Sequence, residues 1–189
     1  MINKENIYKK IQGLYLNGKV SYNFNLAPFT WLKTGGKADI FFMPEDINDL
    51  RKFLKSMNKN TSFYVLGAGS NTLFRDLGFN GAVIKLSKNF DYIKFINNKE
   101  FKVGAATNCI KLARFLAKNS ASGLEFFSGI PGSIGGAIRM NAGAYGYETS
   151  EFLTKIKILN SKDGKVKEVF SKDYTMNYRK TSFPDKYIF

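Results

Sequence analysis

The sequence predicts an α+β chain, and three observations carry that reading. A strand–helix–strand pattern over residues 38–66 favours a parallel pair of strands. Short strand patterns over 82–105 read as a small antiparallel group, and two further strand patterns around Lys162-Asp163-Gly164 read as a hairpin. The chain has 189 residues, enough for one domain or two small interdependent ones. Hydrophobic residues at 44% and aromatics at 15% exclude a disordered chain. No apolar run reaches the roughly 18 residues of a membrane span, so membrane insertion is not expected. The start, MINKENIYKKIQG, lacks the apolar centre of a signal peptide, and a cytoplasmic location is expected.

Taken in order, residues 1–20 hold a weak helical pattern (Ile7, Ile11, Leu14) ending near Gly18. Thr30 to Gly36 is a polar, turn-forming run ahead of an apolar strand, Ala38 to Met43. Pro44-Glu45-Asp46 opens a helix, its acids well placed for the N-terminal dipole. Ile47, Leu50, Phe53, Leu54 and Met57 recur at helical spacing and predict one buried face. Phe63 to Leu66 is a second strand, running directly into Gly67-Ala68-Gly69-Ser70-Asn71-Thr72. Ala82-Val83-Ile84, Tyr92 to Ile96 and Phe101 to Val103 are the short antiparallel candidates, with Asn97-Asn98 as the turn between the last two. Asn108 caps an apolar helix to about Lys118, which places Cys109 in the core. Leu153 to Leu159 and Val166 to Phe170 form the hairpin, and Tyr187-Ile188-Phe189 begins a last strand.

Between these elements lies GLEFFSGIPGSIGGAIRMNAGAYG, residues 123–146, which carries seven of the chain's 17 glycines. Glycine costs about 1 kcal/mol against alanine in a helix, so its density here has another use. One reading is a ligand loop, with bare N–H groups, the Ser128 and Ser133 hydroxyls and the start of a short helix after Pro131 suited to a diphosphate. The other is a packing corner where elements cross tightly. The GAGSN turn at 67–71 lacks the third glycine of a dinucleotide fingerprint and the long helix that would follow, which disfavours a Rossmann site, but its two glycines and Ser-Asn pair expose N–H donors that suit a phosphate-cradling loop.

Composition narrows the chemistry. Net charge is +14, yet no run of lysine and arginine exceeds two residues, so a nucleic-acid partner is not expected. The absence of histidine excludes a Ser-His-Asp triad and histidine-ligated metal. A single cysteine excludes an internal disulfide and a cysteine-cluster metal site. With no Walker motif either, redox or transfer chemistry here would rest on an organic cofactor.

Four segments together resemble a known family: TWLKTGG at 30–36, LGAGSNTL at 66–73, the whole of 123–146, and YRKTSF at 178–183. In this order and spacing they are similar to the UDP-N-acetylenolpyruvoylglucosamine reductases, flavoenzymes of peptidoglycan precursor synthesis. The resemblance covers residues 20–189. It implies a two-subdomain FAD-binding fold of the vanillyl-alcohol-oxidase (PCMH) type, with subdomains at 1–83 and 84–189, the second truncated. It implies FAD as cofactor, NADPH as co-substrate and a UDP-sugar as substrate. The implied cofactor-binding residues are Gly67, Ala68, Gly69, Ser70, Asn71, Thr72 and Leu73 around the diphosphate. Gly129, Ile130, Pro131, Gly132, Ser133, Gly135, Gly136, Asn141, Gly143 and Ala144 would line the flavin and the rest of the dinucleotide.

The resemblance gives Arg179 a catalytic role: its guanidinium would grip the substrate carboxylate as negative charge builds there. Without the resemblance, the better reading is a solvated surface arginine. Arg139 is open between phosphate contact and loop brace, and Tyr145 between stacking and packing. One departure stands out. The family's substrate-binding subdomain, with a proton-donating serine and a glutamate near the C-terminus, has no counterpart in these 189 residues. The expectation is therefore the flavin half of such a reductase, incomplete for catalysis as these 189 residues stand, with a catalytically silent FAD-binding module as the alternative.

Overall fold

The structure is a computed structural model that describes residues 4–57, 61–184 and 187–189. The first three residues of the expected N-terminal helix lie outside the described residues. The chain divides into two compact units, Met1–Asn89 with Asn160–Lys165, and Phe90–Leu159 with Val166–Phe189. Both mix helix and sheet, as the α+β reading predicts.

The first unit runs α1 (Lys4–Gln12), β1 (Lys19–Asn25), β2 (Lys37–Met43), α2 (Ile47–Ser56), β3 (Phe63–Val65) and β4 (Phe79–Ile84). Its sheet has the order β1-β2-β4-β3. β1 pairs antiparallel with β2, and β4 pairs parallel with both β2 and β3. This corrects the sequence reading twice. The strand–helix–strand unit is present, but its two strands are not neighbours, because β4 lies between them. Ala82-Val83-Ile84 therefore belongs to a central parallel strand and not to the antiparallel group. All three side chains are fully buried, and a strand covered on both faces loses the polar alternation that would have identified its neighbours. β1 was not expected at all.

Helix α2 starts where expected, after Pro44-Glu45-Asp46, and the Asp46 side chain caps it by accepting from the Asp49 N–H at 2.8 Å. Leu50, Phe53 and Leu54 are buried, and Phe53 stacks on Phe42 of β2 at 4.2 Å. Ile47, expected on that face, is instead exposed, and Met57 is the C-cap. Asp49 takes an unpredicted core position. Its carboxylate accepts from the N–H groups of Asn17, Gly18 and Glu45, tying the turn before β1 to the start of the helix.

The second unit opens with β5 (Ile93–Phe95) and β6 (Phe101–Val103), an antiparallel pair closed by the Asn97 turn. α3 (Cys109–Lys118) follows, with the Asn108 side chain accepting from the Lys111 N–H at 3.1 Å. α4 (Ile134–Met140) is a short helix, followed by a two-residue hairpin, β7 (Gly143–Ala144) and β8 (Tyr147–Glu148). Next come β9 (Lys155–Asn160), β10 (Val166–Phe170), β11 (Met176–Asn177), β12 (Lys180–Thr181) and β13 (Tyr187–Ile188). β13 lies beside β9 in a sheet ordered β10-β9-β13, so the expected last strand is present. One core joins α3, the 3-10 turn at Glu125–Gly129, α4 and the hairpin strands, with Cys109, Leu112, Phe126, Phe127 and Ile158 nearly or fully buried.

Candidate functional site

The first loop begins where the parallel ladder ends. The Leu66 N–H donates to the Ile84 carbonyl at 2.8 Å, and the chain then leaves the sheet at Gly67. Among the described residues, the N–H groups of Gly67, Ala68, Gly69, Ser70 and Asn71 make no hydrogen bond to the protein. Consecutive unpaired backbone donors of this kind are anion-binding chemistry. The loop is held from beneath by the 30–36 stretch, whose Trp31 N–H donates to the Gly69 carbonyl at 3.0 Å. Gly69 has φ of +72°, and a Cβ there would collide with the Phe29 carbonyl oxygen. Thr72 meets the Tyr64 hydroxyl at 3.1 Å, while Leu73 points its side chain largely into solvent.

Lys85, which the sequence reading passed over, sits on the same loop. It follows β4, and its ammonium donates to the Gly67 carbonyl at 2.7 Å, with the Phe29 ring 5.9 Å away. Burial pulls its pKa below the ordinary lysine value. The signal was available, because Lys85 is the one charged residue in the apolar run from Ala82 to Leu86.

The second loop is different, and here the structure departs from the picture of bare donors. The Gly132 N–H bonds the Ile130 carbonyl, Ile134 bonds Thr107, Gly135 bonds Ala105, and Gly136 reaches the Ser133 hydroxyl oxygen. These donors, including those opening α4, are spent inside the unit. What this stretch retains is closeness. A Cβ on Gly129 would lie 2.8 Å from the Tyr145 ring, whereas one on Gly132 would make an ordinary contact with Ile130 Cγ2 at 3.7 Å. Pro131 is exposed and Ile130 is buried. Gly143 and Ala144 form β7, and Tyr145 and Gly146 both have positive φ, as in the type I′ turns that close two-residue hairpins. Tyr145, Tyr147, Phe126 and Phe152, with Gly123, Glu125 and Ser128, line an open cavity of about 520 Å³.

Asn141 does not present its side chain to a ligand. It is 1% exposed, ends α4 in the left-handed conformation, and has its amide engaged on all sides. Its Nδ2 donates to Glu148 Oε2 at 2.7 Å and to the Asn177 carbonyl at 3.2 Å, and its Oδ1 accepts from the Ser150 N–H at 3.0 Å. Asn177 is the last residue of β11, two residues before Arg179. Arg179 stands on the exposed turn between β11 and β12 at φ of +55°, with its guanidinium 5.5 Å from the ring of its neighbour Tyr178. Arg139 serves as a brace: it donates to the Phe183 and Pro184 carbonyls and lies over the Phe189 ring. Cys109 is fully buried, and burial pushes its thiol up to about 12.

The family model described as an FAD binding domain matches residues 38–169. The chain belongs to the FAD-binding domain family. Among curated relatives, the UDP-N-acetylenolpyruvoylglucosamine reductase of Wolbachia sp. subsp. Brugia malayi is 42% identical over 180 residues, covering 95% of this chain and 59% of that protein. The crystal structure of the Thermus caldophilus UDP-N-acetylenolpyruvylglucosamine reductase superposes with a TM-score of 0.74 at 29% identity, covering 92% of this chain and 60% of that one. The 6-hydroxy-D-nicotine oxidase of Arthrobacter nicotinovorans shares the fold, at a TM-score of 0.62 and 16% identity over 84% of this chain and 37% of its own. The chain thus spans a little under two thirds of the length of the reductases it matches. Its fold is the vanillyl-alcohol-oxidase-type FAD-binding fold expected from the four motifs.

FAD brings a diphosphate that needs several donors and a flat ring that needs close, flat walls. The five unpaired N–H groups at 67–71 fit the diphosphate. The spent donors of 132–136 do not fit that role, but a glycine surface with few side chains suits close approach.

Proposed function

We propose that this chain holds FAD in the NADPH-dependent reduction of UDP-N-acetylglucosamine enolpyruvate to UDP-N-acetylmuramate, a step of peptidoglycan precursor synthesis. The observation that carries this reading is the 42% identity to a reductase of that substrate across 95% of the chain. The unpaired donors at 67–71, in the expected loop, support it chemically. The reading includes a cytoplasmic location, where NADPH and UDP-sugars are available.

In this reading the N–H groups of 67–71 hold the diphosphate, and the glycine surface of 129–136 lets the dinucleotide approach the backbone without side-chain interference. When bound, FAD supplies a two-electron relay between NADPH and the enolpyruvyl double bond. Arg179 receives the substrate carboxylate, because an always-charged planar fork can match the two oxygens while charge accumulates on them. The β11–β12 turn carries that guanidinium, and Asn141 holds the turn's first strand to α4 and β8. With no histidine in the chain and Cys109 buried, the usual histidyl and cysteinyl attachments are not open, and FAD is held non-covalently.

Purified protein should carry flavin that is released on denaturation, and NADPH oxidation that depends on the enolpyruvyl UDP-sugar would assign it the full reductase reaction. Flavin without turnover would assign the chain as a binding module. Absence of flavin uptake by folded protein would end the reading.

A further inference from the structure

We propose that Lys85 is a diphosphate-binding residue, acting with the 67–71 loop on the dinucleotide cofactor; this rests on the FAD reading above. A lysine ammonium has three donors, and the Gly67 carbonyl takes one at 2.7 Å. Among the described residues no carboxylate pairs with it, and the only other partner is the Phe29 ring at 5.9 Å. Lys85 is partly buried, so its ammonium loses part of its hydration with no counter-charge to offset the loss. Here the missing negative charge belongs beside a loop that has five N–H groups equally without acceptors. The two shortages have one remedy, an anion seated on the loop within reach of the ammonium.

The position is built for this. The backbone N–H of Lys85 donates to the Phe42 carbonyl at 2.9 Å, so the residue is fixed in register at the end of the central strand β4. The neighbouring strand β3 delivers the loop, since the Leu66 N–H is bonded to the Ile84 carbonyl, one residue before Lys85. Gly67 is thus gripped at its carbonyl by the lysine, which leaves its N–H for a ligand. The depressed pKa agrees with a cation that burial penalises and an anion would relieve.

The test compares wild type, Lys85→Met and Lys85→Arg, with FAD and with riboflavin, which lacks phosphate. Affinities are read by flavin fluorescence over a range of salt concentrations. Lys85→Met should weaken FAD about tenfold, the loss of one charge-assisted hydrogen bond, and flatten the salt dependence. Riboflavin affinity should not change, and Lys85→Arg should stay within about threefold of wild type. Folding is checked by thermal melting. If Lys85→Met does not fold, Lys85→Gln takes its place, with the same expectation. Equal FAD affinity and salt slope in wild type and the neutral variant would overturn the proposal while leaving the FAD reading intact. An equal loss of riboflavin would also overturn it, showing that the side chain only shapes the loop. A folded wild type that binds no FAD would remove both.

Discussion

Arg179 stands on an exposed two-residue turn in a left-handed conformation that costs a non-glycine residue about 1–2 kcal/mol. In the reductase reaction, Arg179→Ala should leave FAD affinity unchanged and raise the barrier by about 3 kcal/mol, as for other lost charge-stabilising donors. Arg179→Lys should recover little, since a point charge does not reproduce the fork. Steady-state turnover beside flavin titration checks both, and near-wild-type turnover of the alanine variant would make Arg179 a surface residue. Asn141 supports that turn from below. Asn141→Asp would set a carboxylate against Glu148 Oε2, now 2.7 Å from Nδ2, and remove the donor to Asn177. It should destabilise the second unit by roughly 2–3 kcal/mol, as for a buried polar network left partly unpaired. A melting temperature equal to wild type would contradict the bracing role.

The two glycine loops make different demands as elements. Gly69 is at positive φ against the Phe29 carbonyl, so Gly69→Val should misfold the loop, and its loss of flavin would say nothing about contact. Gly132 has room, its nearest neighbour to a new Cβ being Ile130 Cγ2 at 3.7 Å. Gly132→Val should therefore keep the wild-type melting temperature while weakening FAD at least about tenfold through blocked approach. Unchanged FAD affinity in that variant would remove 129–136 from the site. Helix α2 shows a different kind of demand: the buried carboxylate of Asp49 gathers three backbone donors, so the helix start and the turn before β1 form together.

At the scale of the molecule, each unit has its own buried core, and that of the second contains the only thiol. Cys109 keeps its proton up to about 12 when folded, against an ordinary value of 9.0. Below pH 9 both states are protonated and the thiol contributes nothing to pH dependence. Between pH 9 and about 12 only the unfolded chain releases the proton, so stability falls as pH rises. Urea midpoints measured across that window should decline more steeply for wild type than for Cys109→Ala. Parallel declines would show that the thiol is not buried in solution. Native protein at neutral pH should likewise resist thiol reagents until unfolded.

Local signals carried much of this protein. The start of α2 at Pro44-Glu45-Asp46, the Asn108 cap, the Asn97 turn, the hairpin around residues 162–164 and the buried Cys109 all follow from residues within a turn or two of one another. The motifs at 30–36, 66–73, 123–146 and 178–183 were enough to reach the FAD-binding family and its fold. Tertiary structure alone decided the order β1-β2-β4-β3, because a strand buried on both faces gives no hint of which neighbours cover it. It also decided which donors remain for a ligand. Gly67 to Asn71 and Gly132 to Gly136 look alike as glycine loops. Gly135 and Ile134, however, find acceptors on Ala105 and Thr107, nearly thirty residues away, and Gly67 to Asn71 find none. A backbone N–H is a site only if no distant carbonyl has claimed it, and that depends on packing between segments far apart in the chain.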